Sequence, residues 1–173
     1  MIDCAETGID DRLDGGPGDD VFGDDCGVNL ATGGPGHDLG KVTGSFDGGS
    51  ADDNRILADL PTSQPLGFTP MFASNPPIEA ERTCEACHDG HAIGGSGNDG
   101  VVVYGGVADG GSGNDLVEGA YPSDEVLGGS GSDQLGHFTG SAGMRFDGGS
   151  GHDICNLNGS TTDTVRRCEV VVP

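Results

Sequence analysis

Tryptophan is absent from this 173-residue chain, and two tyrosines and six phenylalanines are its only aromatic residues. Hydrophobic residues of every kind reach only 33%. With so little large apolar surface to bury, a thick core around one centre is excluded. Basic residues are equally scarce: 7 Lys and Arg stand against 29 Asp and Glu, a formal charge of −22. Nucleic acid and anionic membrane surfaces are held through Lys and Arg, so no nucleic-acid partner is expected and a cation becomes the natural one. No window holds the roughly 18 apolar residues of a spanning helix, so membrane insertion is not expected either. The opening Met1-Ile2-Asp3-Cys4 has neither the basic nor the apolar region of a secretory leader.

Glycine is what the chain has in excess, with 35 residues. Such density beside so many acids reads as disorder, unless the glycines recur at a fixed period and the acids have a counterion. They do recur. Gly-Gly-x-Gly-x-Asp begins at Gly15, Gly33, Gly48, Gly94, Gly110, Gly128 and Gly148, with Ala51 replacing the third glycine of the copy at Gly48. Several copies lie about 18 residues apart, and weaker units fall midway: Asp24 to Asn29, Gly119 to Asp124 and, at the end, Asn158 to Asp163. The underlying period is therefore nine. Glycines admit positive φ and let turn carbonyls converge, while the sixth-position Asp supplies charge; hard oxygen donors of this kind select calcium. Apolar residues follow each Asp (Val21 and Phe22, Val101, Leu116 and Val117, Leu135, Ile154) and read as short strands.

This pattern closely resembles the RTX, or haemolysin-type, calcium-binding nonapeptide Gly-Gly-x-Gly-x-Asp-x-apolar-x, over residues 13–56 and 91–166. The resemblance implies an all-β fold, a right-handed parallel β-roll in which turn, strand, turn, strand make one coil. It further implies calcium ions between successive turns, held by turn carbonyls and by Asp20, Asp38, Asp53, Asp99, Asp115, Asp133 and Asp153; Asp124 of a midway unit joins these candidates. Gly40 and Arg55 stand at apolar positions and Ala51 at a turn glycine, so the sites beginning at Gly33 and Gly48 depart from the pattern. Aligned carboxylates repel one another without a divalent ion. Folding is therefore expected to require calcium, in the region of ~0.1–1 mM for an extracellular module. A longer similarity links residues 38–50 with 135–150, which suggests two related lobes, 1–56 and 94–173, in one continuous roll or in two rolls packed together.

Residues 57–93 break the period. Five prolines, from Pro61 to Pro77, argue for an extended excursion, and residues 78–84 suit a short helix behind Pro76-Pro77. The segment carries Cys84-Glu85-Ala86-Cys87-His88, a Cys-x-x-Cys-His sequence of the c-type haem attachment kind. Resemblance to cytochrome c would make Cys84 and Cys87 the thioether points and His88 the proximal iron ligand, with Met71 a distal candidate. A Cys84–Cys87 disulfide and a zinc site shared with His91 are the competing readings.

Six cysteines in a core-poor domain argue for an oxidising compartment, hence secretion or display at the cell surface. Their grouping suggests end staples, Cys4–Cys26 and Cys155–Cys168, although the spacing leaves other pairings open. His37 and His152 occupy the variable fifth position of a repeat and are expected in solvent. No nucleophile elbow, phosphate-cradling loop or zinc-protease motif occurs, so an enzyme is not expected. Two functions compete: a calcium-dependent structural, adhesive or assembly module, and an extracellular single-haem electron carrier framed by the roll. A repeated Ser and Asn surface at Ser96, Asn98, Ser112 and Asn114 is a weaker third. The open ends of a solenoid also invite self-association, and a haem would call for a redox partner.

Overall fold

The computed structural model describes residues 11–51, 53, 56–58, 90–138 and 142–173, with the backbone alone at 24–28, 41, 43 and 56–58. Every regular element among the described residues is a β-strand. In chain order these are β1 (Arg12–Asp14), β2 (Val21–Pro35), β3 (Leu39–Ser50), β4 (Ile56–Ala58), β5 (Gly90–Ser96), β6 (Gly100–Val103) and β7 (Gly106–Ser112). They continue with β8 (Leu116–Gly119), β9 (Glu125–Gly131), β10 (Gln134–His137), β11 (Arg145–Gly151), β12 (Ile154–Asn156), β13 (Thr164–Arg166) and β14 (Val170–Val172).

All the pairings are parallel and link strands of successive coils. One face stacks β3, β5, β7, β9, β11 and β13, and the other stacks β3, β4, β6, β8, β10, β12 and β14. Strand β3 serves both because β2 and β3 bend round an edge, with a register shift between Asp24 and Asn29. The result is a flattened parallel β-solenoid, the all-β architecture the repeat calls for. Its ladders do not stop at the Pro-rich segment. Strand β3 pairs directly with β5, Phe46 opposite Ala92, and β4 pairs directly with β6, so the two lobes share one continuous roll. Strands β4 and β5 also reach into both ends of residues 57–93. The helix expected at 78–84 lies outside the described residues.

Alternation along short strands sends one column of side chains inward from each face. On one face that column reads Ala31, Phe46, Ala92, Ala108, Val126 and Phe146, all fully buried. The facing column includes Gly40, Val101, Val117, Leu135 and Cys155. Val42 and Val103 are turned inward beside this column, and the interior is only as thick as these facing columns, which is why so few aromatics suffice. Gly40, a departure from the apolar pattern, is explained by packing: a Cβ there would be driven into the Phe46 ring. Outside the roll, Val102, Tyr104 and Ala120 form a second buried cluster with Tyr121 and Phe138.

Candidate metal centre

The Gly-Gly-x-Gly-x-Asp copies stack on one edge of the solenoid. Their glycines adopt backbone shapes that side chains resist: φ is +142° at Gly97, +137° at Gly113 and +145° at Gly131. Ala51 adopts the same kind of conformation, φ +110°, so its turn keeps the shape of the others despite the substitution. The sixth-position Asp residues then fall into a single row. Each gives its backbone N–H to the Oδ1 of the next: Asp20 to Asp38, Asp38 to Asp53, Asp53 to Asp99, Asp99 to Asp115, Asp115 to Asp133 and Asp133 to Asp153, at 2.7–3.0 Å. Asp53 and Asp99 are neighbours in this row although 46 positions separate them in sequence.

Sharing Oδ1 in this way turns Oδ2 toward the interior of the edge. The Oδ2 atoms of Asp20, Asp38, Asp115, Asp133 and Asp153 are buried and accept no hydrogen bond. A buried carboxylate oxygen without a partner costs several kcal/mol in isolation, about 1–3 kcal/mol or more, and a row of them calls for a compensating cation. The glycines mark the space beside each such oxygen. A Cβ added at Gly110 would lie 2.5 Å from Asp115 Oδ2 and 2.7 Å from the Gly128 carbonyl oxygen. At Gly128 it would lie 2.7 Å from Asp133 Oδ2 and 2.5 Å from the Gly148 carbonyl oxygen, and at Gly15 it would lie 2.5 Å from Asp20 Oδ2 and 2.8 Å from the Gly33 carbonyl oxygen. A carboxylate of one coil and a carbonyl of the next thus converge on a space that glycine alone leaves open. Among the described residues no three metal-ligating side chains cluster. Each space shows one carboxylate oxygen and one main-chain oxygen, hard donors that would suit calcium rather than zinc or copper.

Electrostatics describe the same strain. Burial, and then the charges of Asp133, Asp99 and Asp109, push Asp115 up to about 7. Burial and the Asp153 charge raise Asp133, and burial raises Asp109.

Asp124, grouped with the ligands in the sequence, lies on the opposite edge. Its Oδ1 accepts the Gly106 N–H at 3.0 Å, and its Oδ2 accepts those of Ala120 and Tyr121 at 2.9 and 2.8 Å. Both oxygens are consumed locally, so Asp124 is a turn anchor. Asp163 is another: its Oδ1 accepts from Gly143 and Met144, and its Oδ2 pairs with His137 Nε2 at 2.7 Å. His37 and His152 are exposed, as expected. Fifth-position Asn98 and Asn114, two members of the suggested Ser and Asn surface, accept backbone N–H groups of the following coil, those of Asn114 and Ser132. Cys155 and Cys168 form a disulfide. Cys4, Met71, Cys84, Cys87 and His88 lie outside the described residues, as does the side chain of Cys26.

Two participants carry no motif at all. Asp153 gives its N–H to Glu169 Oε2 at 2.7 Å, and the space at Gly148 is bounded by the Arg167 carbonyl oxygen. The chain matches no protein-family model, no curated protein and no solved structure.

Proposed function

We propose that this chain is a calcium-binding β-roll of the RTX, haemolysin-type class, whose folding depends on the ion and which serves outside the cell as a structural, adhesive or assembly module. The observation that carries this reading is the row of buried, unpartnered Asp Oδ2 atoms, each facing a main-chain carbonyl of the next coil across a glycine. Calcium supplies the positive charge and the high oxygen coordination such a row lacks on its own. The residues contribute the rest. Asp Oδ1 atoms fix the spacing between coils, glycines keep the sites open, and the turns aim the carbonyls. The Cys155–Cys168 disulfide and the calcium level that such sites demand favour an extracellular setting.

Circular dichroism and thermal melting in calcium and in excess chelator test the reading. The expected result is loss of the β-signal, or a large fall in Tm, on chelation at neutral pH. Identical spectra and melting points in both conditions would overturn it.

A further inference from the structure

The row of carboxylates does not end with the last recognisable motif. Pairing of β11 with β13 sets Asp147 opposite Arg166, which places Arg167 at the rung of Gly148, the first position of the turn. Pairing of β12 with β14 sets Ile154 opposite Val170, which places Glu169 at the rung of Asp153, the sixth position. Between those two positions the motif has four residues, and here Cys168 alone remains. The hydrogen bonds continue unchanged across the gap. The Val170 N–H reaches the Asp153 carbonyl at 3.1 Å, as the Ile154 N–H reaches that of Asp133 at 2.9 Å, and Glu169 accepts the Asp153 N–H.

The shortened corner also presents an oxygen inward. The Arg167 carbonyl closes the space beside Gly148 and the buried, unpartnered Asp153 Oδ2, where the Gly128 carbonyl closes the corresponding space beside Gly110. Arg167 sits at φ +48°, and its side chain is fastened to Asp147 Oδ1 at 2.6 Å. Cys168 is bonded to Cys155 on the preceding coil. Glu169, one methylene longer than the motif's Asp, takes the Asp153 N–H from an exposed corner, whereas Asp133 and Asp153 are buried.

We propose that Arg167, through its carbonyl oxygen, and Glu169, through its carboxylate, complete a further calcium site on Asp153, in a turn that has no Gly-Gly-x-Gly-x-Asp sequence and is clamped by the Cys155–Cys168 disulfide. The proposal rests on the calcium reading above. It makes the last coil a working member of the ion row, and it predicts one ion more than a count of motif-to-motif interfaces gives.

The test is the number of calcium ions held by the full chain, counted by native mass spectrometry and by calorimetric titration with calcium alone. Glu169→Gln keeps an oxygen for the Asp153 N–H and removes the charge. The expected result is about tenfold or greater weakening of one site, with the others unchanged. Glu169→Asp, which restores the motif residue but shortens the reach, is expected to lose the same ion. Unchanged stoichiometry and affinity in both variants would overturn the terminal site while leaving the calcium reading intact. A wild-type chain that takes up no calcium would overturn both. Asp115→Asn, in the middle of the row, serves as the reference for loss of an ordinary site.

Discussion

The two edges of the solenoid are built from the same nine-residue rhythm and end up chemically unlike. On the motif edge a carboxylate recurs from coil to coil; from Asp38 to Asp153 each shares Oδ1 with the coil before it, and Oδ2 of Asp38, Asp115, Asp133 and Asp153 is buried. On the opposite edge the corresponding rungs carry Asn29, Gly44, Gly90, Gly106, Asp124, Met144 and, in the last coil, Asp163. Its two carboxylates are saturated by N–H donors and a histidine. The difference teaches that an aspartate in a glycine-rich turn keeps an oxygen unpartnered where aspartates stack above and below it. Alone, it spends both oxygens on N–H donors and a histidine of its own and the preceding coil.

The largest effect that separates the edges is pH dependence without calcium. Asp115, held near 7 in the fold by burial and then by neighbouring charges, binds its proton more tightly folded than unfolded, where Asp titrates at about 3.9. Its contribution is full below about pH 4 and is lost as pH rises through about 7. Asp133 and Asp109 are raised in the same sense, and so, by burial, is Asp124 on the opposite edge, without the neighbouring carboxylates that add to the rise along the row. At the acid end the sign reverses. The Arg167 hydrogen bond holds Asp147 below its ordinary range, and Asp163 is held low, against the cost of its burial, by the N–H of Met144, by His137 and by other donors. Chelated protein should therefore melt highest between about pH 4 and 6 and lose stability toward pH 8, and calcium should abolish the decline above pH 6. Melting curves across pH with and without chelator check this; a flat chelated profile would contradict it.

Next in size is a crossed pair of substitutions. Asp115→Asn is expected to weaken one calcium site about tenfold or more and to raise the stability of the metal-free chain, because one of a stack of like charges is gone. Asp124→Asn should do the reverse: calcium stoichiometry stays, and stability falls by about 1–3 kcal/mol in either condition as three charge-assisted N–H bonds weaken. Calcium titration and denaturant melts on both variants read out the crossing. The smallest effect concerns the one motif turn that lacks its glycine. Ala51→Gly relieves a positive φ of 110° and should add about 1 kcal/mol, a shift of a few degrees in Tm.

Much of this was legible in the chain. Seven in-phase motifs gave the all-β solenoid and the seven aspartates of the row, because a turn that needs positive φ at fixed places leaves its glycines in the sequence. Other parts were not legible, each for a physical reason. Asp124 has the spacing of a ligand, but spacing does not record whether nearby amides have already taken both oxygens. Gly40 looks like a break in the apolar pattern because Phe46, from the far arm of the same bent strand β3, fills the space. Arg167 and Glu169 preserve position one and position six only in register, across a corner whose sequence has lost the rest.

Asp53 and Asp99 touch as consecutive rungs although β4 ends at Ala58 and β5 begins only at Gly90. Both of these strand ends lie on the edge opposite the carboxylate row, where Ala58 adjoins Val103 and Gly90 adjoins Gly106. Lengthening a loop at that border adds closure entropy only slowly, about 0.6 kcal/mol per doubling. The anionic border fixes the pitch, and the other is a splice port at which foreign sequence can enter the rod without disturbing its carboxylate seam.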